Sequence, residues 1–107
     1  MLAAPLPRVS AADNKLDGFA KCLSQKNAKM YGLFWCTHCQ DQKELFGSSW
    51  VYVNYVECAV PGSRQIVQAC KDAKIQHTPT WTFVDGTRKE GLMQLSDLAK
   101  QTGCKLP

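Results

Sequence analysis

Cys36-Thr37-His38-Cys39 places two thiols three positions apart, close enough for their sulfurs to reach disulfide distance. The apolar stretch before this motif and the helix formers after it put Cys36 at a helix N-terminus. There, unpaired N–H groups and the helix dipole favour a thiolate. The chemistry this points to is thiol–disulfide exchange, with Cys36 as the attacking sulfur and Cys39 as the resolving one. Four more cysteines, Cys22, Cys58, Cys70 and Cys104, bring the count to six in 107 residues. An even count at this density suits an oxidising compartment, and six cysteines allow fifteen pairings that the sequence alone does not choose between. The competing use of clustered cysteines, a zinc site, needs four Cys or His ligands. One C-x-x-C with His77 as the sole histidine besides His38 does not supply them, so neither a metal nor a cofactor is expected.

The elements that must position the motif follow from hydrophobic spacing. Leu16, Phe19, Ala20 and Leu23 keep helical intervals and predict a helix over Lys15 to Gln25, with Asp13 or Asn14 as its cap. Lys29 to Trp35 reads as a strand buried on both faces, and Cys39 to Phe46 as a helix closed by Gly47. Trp50 to Glu57, rich in β-branched and aromatic residues, predicts a second strand. Pro61-Gly62-Ser63 makes a turn, with Ser63 capping a helix over Arg64 to Lys71. Thr80 to Val84, the Asp85-Gly86 turn and a return strand near Lys89 to Met93 predict a hairpin. Ser96 to Thr102, ended by Gly103, is a last helix. Alternating strands and helices argue for an α/β fold, with helices on both faces of a central sheet.

A chain of 107 residues buries about 65% of its extended surface, enough for one core. With 45% hydrophobic and 21% charged residues it falls in the range of folded domains. No apolar run approaches the roughly 18 residues of a membrane span. Residues 1–14, rich in Ala and Pro, read as a flexible lead-in or linker remnant, and residues 15–107 as the folded domain. The opening residues are too short and too Pro-interrupted for a signal peptide, which leaves room for a removed signal or an anchor upstream. The net charge of +4 is spread along the chain without a basic block or interleaved aromatics, so no nucleic-acid partner is expected.

Phe34-Trp35-Cys36-Thr37-His38-Cys39, followed far along the chain by Thr78-Pro79-Thr80, resembles the thioredoxin superfamily. The resemblance implies a thioredoxin-like fold with a mixed sheet of about four strands. It also implies that Pro79 is the cis proline that packs against the C-x-x-C, and that Thr78 pairs its backbone with a bound substrate strand. Trp35 would shield the active pair and offer substrate a flat apolar contact, and Thr37 would line the same groove. His38 resembles the histidine of oxidising members, whose imidazolium stabilises the first thiolate and makes the disulfide a better oxidant. The alternative for His38 is an exposed residue without influence. Thioredoxins carry a buried Asp six residues before the first cysteine as proton acceptor for the resolving thiol. Met30 stands there in this chain, so resolution is expected to be slower or to use Glu44 or water.

Within that superfamily, Lys29 to Cys36, Gln40 to Gly47, Tyr55-Val56-Glu57-Cys58 and Pro79-Thr80-Trp81 are similar to the thioredoxin-like domain attached to vitamin K epoxide reductase homologues of bacteria and chloroplasts, over about residues 16 to 107. This resemblance implies a domain that carries disulfides between a quinone-linked membrane oxidase of that family and client proteins outside the cytoplasm: in the periplasm, on the cell envelope exterior or in the thylakoid lumen. It also implies an additional disulfide, Cys58–Cys70, either a staple or an electron relay to the active pair. Cys22 and Cys104 then bond to each other or stay free. First and last helices that cover opposite faces of the sheet count against a bridge between them, unless the tail after Gly103 wraps round. His77, just before Thr78, lines the substrate groove or is a plain surface residue, and Trp50 and Trp81 are packing residues. The whole reads as a monomeric protein thiol-disulfide oxidoreductase. A disulfide reductase or isomerase is one alternative, and a non-catalytic, disulfide-stabilised peptide-binding module the other.

Overall fold

A computed structural model describes residues 14–107, so nearly all of the expected lead-in at 1–14, and the cap expected at Asp13, lie outside the described residues. The chain forms helix α1 (Asp17–Gln25), strand β1 (Lys29–Gly32), helix α2 (Thr37–Phe46), a 3-10 helix (Gly47–Tyr52), strand β2 (Asn54–Glu57), helix α3 (Gln68–Asp72), strands β3 (Thr80–Thr82) and β4 (Arg88–Glu90), and helix α4 (Leu95–Thr102). The four strands make one mixed sheet in the order β2-β1-β3-β4. Strand β1 is parallel to β2 and antiparallel to β3, and β4 returns antiparallel to β3 through the expected Asp85-Gly86 turn. This is an α/β architecture of the thioredoxin-like kind. Among the described residues no helix is long and apolar enough to cross a membrane.

Register sorts the side chains between two cores. Met30 pairs with Tyr55 on one side and Trp81 on the other, so these three share a face. With them is buried the larger cluster, built from Phe19, Ala20 and Leu23 of α1, Cys39 and Phe46 of α2, and Leu98 of α4. Tyr31, paired with Val56 and Thr80, points the other way, into a smaller cluster with Cys58 and Cys70 beside α3. Helices thus cover both faces. The expectation that the first and last helices lie on opposite faces is overturned: α1 and α4 contribute to one cluster, and a Cys22–Cys104 disulfide joins them. The other disulfide is Cys58–Cys70.

Several boundaries differ from the sequence reading, each for a local reason. Residues 50–52, expected in a strand, belong to the 3-10 helix. Gly47, at a φ of 57°, turns the chain after α2, and the buried Ser49 hydroxyl donates to Asp17 Oδ1 at 2.6 Å. Strand β1 stops at Gly32, because residues 33–36 fold into a turn closed by Cys36 N–H to the Leu33 carbonyl. The helix expected from Arg64 begins only at Gln68. Residues 58–67 instead form an antiparallel bridge, with Val60 N–H donating to the Gln65 carbonyl and Val67 N–H to that of Cys58. Ser63 therefore caps no helix: its hydroxyl accepts from Gln65 N–H within the turn. Helix α1 starts at Asp17 with Leu16 at its cap position and no side-chain cap bond.

Candidate functional site

Cys36 is the N-cap of α2. Its extended backbone turns the sulfur back over the first helical turn, where Sγ accepts the Cys39 backbone N–H at 3.2 Å. On its other side Sγ donates to the Thr78 carbonyl oxygen at 3.5 Å, so residues 42 positions apart meet at the sulfur. The Thr78-Pro79 peptide bond is cis, and Pro79 is buried beneath this contact. Both sulfurs of the C-x-x-C are free thiols, Cys36 partly exposed and Cys39 fully buried.

Their surroundings drive the two thiols apart. Burial by itself raises Cys36, but it is outweighed by hydrogen bonds from the Cys39 thiol, from the Thr78 side chain, and from the backbone N–H groups of Cys39 and His38, leaving the group below its ordinary value of 9.0. Burial, together with the bond to Cys36, pushes the Cys39 thiol up to about 12. One sulfur is thereby shifted towards the thiolate at the surface and the other held as a thiol beneath it.

The remaining expected residues surround this pair in different ways. Trp35 is half-buried, set edge-on to the exposed Phe34 with ring centres 4.7 Å apart and covered by the Arg64 guanidinium at 4.6 Å. Thr37 opens α2 and is exposed. The ring of His38 is exposed, with Nδ1 3.8 Å from Asp41 Oδ2 on the outer side of the helix; it is the backbone N–H of His38 that acts on Cys36. His77 is exposed, and its carbonyl accepts from the Thr80 hydroxyl. Glu44 is exposed, and no bond links it to Cys39. The Cys58–Cys70 disulfide lines a cavity of about 210 Å³ that opens beside Leu33, Ile75 and Thr78, next to the active pair.

Four residues at the site went unnoticed in the sequence. Gln42 is buried and bonds Trp81 and both backbone groups of Met93. Gly32 and Tyr55 lie beside Cys39, and Glu57 is bonded to Tyr55. A Cβ on Gly32 would stand 3.0 Å from Cys39 Sγ and 3.1 Å from the Tyr55 hydroxyl oxygen, and that hydroxyl donates to Glu57 Oε1 at 3.0 Å. The available signal was the alternation of Tyr55 and Glu57 along one strand, which puts them on one face. Only the parallel register with β1 shows that this face lies under the helix carrying the thiols.

No protein-family model matches the chain. A curated relative, the thiol-disulfide oxidoreductase LTO1 of Arabidopsis thaliana, is 45% identical over 91 residues, covering 81% of this chain and 24% of the relative. The chain therefore spans about a quarter of the length of the protein it resembles.

Proposed function

We propose that this chain is a protein thiol-disulfide oxidoreductase whose exchanging sulfur is Cys36 and whose resolving sulfur is Cys39. The observation that carries this reading is the asymmetry of the two thiols, one lowered at a helix N-terminus and partly exposed, the other buried and raised. A structural pair of cysteines needs no such difference, whereas an exchange site needs one reachable thiolate and one withheld partner. The similarity to a thiol-disulfide oxidoreductase supports the same conclusion.

The direction we infer is oxidation of client thiols. A client thiolate attacks Cys36 of the Cys36–Cys39 disulfide, and Cys39 leaves and takes up a proton. A second client thiolate then attacks the client sulfur of the mixed disulfide, Cys36 departs as a thiolate, and the client leaves oxidised with the pair reduced. A lowered thiol is a good leaving group and stabilises the reduced form, which favours giving a disulfide away. Thr78, Pro79, Trp35 and Thr37 bound the groove in which an extended client would lie, with Thr78 offering backbone. His38 contributes through its backbone N–H. Reoxidation would fall to a quinone-linked membrane oxidase of the vitamin K epoxide reductase family, and the working compartment would be extracytoplasmic. The Cys22–Cys104 and Cys58–Cys70 bridges, both stable features of oxidising surroundings, agree with that setting.

Equilibration in graded glutathione buffers, with thiol trapping and peptide mass spectrometry, tests this reading. A potential above about −200 mV for Cys36–Cys39, with the two other bridges oxidised throughout, is the expected result. A value near that of thioredoxin, about −270 mV, would make the chain a reductant. A pair that never exchanges, in a protein whose Cys36→Ser variant keeps its partner affinity, would leave a peptide-binding module.

A further inference from the structure

A buried thiol cannot attack without losing its proton, and Cys39 has no exposed surface through which water could take it. The groups around its sulfur are Cys36 from the cap of α2, the Leu33 backbone, the Thr78 side chain and, beside Gly32, the Tyr55 hydroxyl of β2, which itself bonds Glu57. Gly32 leaves open the space that both groups border: a Cβ there would stand 2.9 Å from the Tyr55 ring, 3.0 Å from the Cys39 sulfur and 3.1 Å from the Tyr55 hydroxyl oxygen. Glu57 is fixed for a task of this kind. Its Oε2 accepts the backbone N–H groups of Phe34 and Ala59, both at 3.1 Å, and its Oε1 is turned to the Tyr55 hydroxyl. The Lys43 ammonium of α2 lies 4.8 Å from the centre of the Tyr55 ring, where it favours negative charge developing on the phenol.

We propose that Tyr55 and Glu57 are the proton relay of the buried thiol: the Tyr55 hydroxyl takes the Cys39 proton as it passes its own to the Glu57 carboxylate, and the same path runs backwards when Cys39 is the leaving group. The proposal rests on the exchange chemistry above and completes its proton balance. With a mixed disulfide on Cys36, the Cys39 sulfur forms a bond to Cys36 Sγ, the bond from Cys36 to the client sulfur breaks, and the client departs as a thiolate with the electron pair. The Cys39 proton ends on Glu57. In the oxidising direction a client thiolate displaces Cys39, and the proton returns from the Glu57 carboxyl through Tyr55 to the departing sulfur. Tyr55 is the catalytic member because its hydroxyl borders the same gap beside Gly32 as the reacting sulfur, and Glu57 acts through it as a positioning and accepting residue. Burial, and next the bond to Glu57, raise the Tyr55 phenol, so it stays protonated and serves as a conduit rather than a store. This relay stands where Met30 supplies no acid, and it leaves Glu44, exposed on α2, without a part.

Reaction of the reduced protein with 5,5′-dithiobis(2-nitrobenzoate) in a stopped-flow instrument separates the steps. The first thionitrobenzoate released reports attack by Cys36, and the second reports attack by Cys39 on the mixed disulfide. In Tyr55→Phe and Glu57→Gln the second release should slow by about a hundredfold near pH 7, with the first unchanged within about twofold. The deficit should shrink towards about pH 10 as hydroxide takes over the proton. Second release at the wild-type rate at every pH in both variants would overturn the relay, as would parallel slowing of both steps, which marks a structural role. If Glu57→Gln does not fold, Tyr55→Phe, which keeps the ring and its packing, decides alone. Should wild-type protein release no thionitrobenzoate at all, the oxidoreductase reading fails first and the relay with it.

Discussion

Cys36 and Cys39 carry the same thiol three residues apart, yet one is exposed on a helix cap and the other lies fully buried under it. The consequence can be read in stability as well as reactivity. In the reduced protein Cys39 titrates at about 12 when folded and 9.0 as its ordinary value, raised by burial and then by its bond to Cys36. Its fold-favoured form is the neutral thiol. That contribution is complete below pH 9 and is lost as the pH climbs from 9 towards 12, where the unfolded chain has released a proton the native one still holds. Cys36, lowered, has the opposite sign: its contribution is present above the ordinary value and lost as the pH falls through the folded one. Reduced wild type should therefore lose its stability advantage over reduced Cys39→Ser as the pH rises above 9, approaching the slope of one proton, in denaturant unfolding at a series of fixed pH values. A stability difference that stays flat across that range would show that burial does not hold this proton. The two cysteines were legible because their spacing and the helix that follows are local. Tyr55 and Glu57 were not, because what matters about them is what lies across the sheet.

At the scale of elements, the thiols depend on how α2 is held, and a single amide does much of the holding. Gln42 Nε2 donates to the Met93 carbonyl at 2.9 Å, while Oε1 accepts Met93 N–H at 2.8 Å and Trp81 Nε1–H at 3.1 Å. The active-site helix is thus fastened both to β3, which begins just after Pro79, and to the segment leading into α4. Gln42→Leu keeps most of the volume and leaves three buried polar groups unpaired, at about 1–3 kcal/mol each. Urea unfolding should report a loss of about 3 kcal/mol or more. A loss under about 1 kcal/mol would mean that water or neighbouring groups pair with them instead. In the sequence Gln42 was only one good helix former among several, and nothing local separates it from Gln40. The same limit explains residues 50–52. Their β-branched and aromatic types favour a strand, a preference that neighbours readily reverse. Here the reversing contacts come from α1, where Asp17 accepts from Ser49 and Ser24 donates to the Tyr52 carbonyl. The Asp85-Gly86 hairpin and the last helix depended on no such distant partner, and the structure holds both close to where the sequence put them.

For the whole molecule, the two bridges outside the active pair divide the work of holding it together. Cys58–Cys70 closes a separation of 12 residues around one connection, whereas Cys22–Cys104 spans 82 and ties the first described helix to the end of the last. The expectation of opposite faces failed because α1 packs on the α2 side of the sheet, with Phe19 stacked near Phe46 at 6.2 Å, which brings Cys22 to the tail after Gly103. A link closing so long a loop removes much of the freedom of the unfolded chain, about 4.5 kcal/mol in the chain-entropy account. Cys22→Ala combined with Cys104→Ala should lower the unfolding free energy by that order while leaving the Cys36–Cys39 potential where it is, since among the described residues no hydrogen bond to either active-site sulfur involves Cys22 or Cys104. Chemical unfolding of the variant with its active pair oxidised, set beside a glutathione titration of the same protein, reads both quantities. A shifted potential would mean that the bridge tunes the active site through the shared core. A stability loss below about 1 kcal/mol would mean that α1 and α4 stay joined without it, their packing alone restraining the ends of the chain.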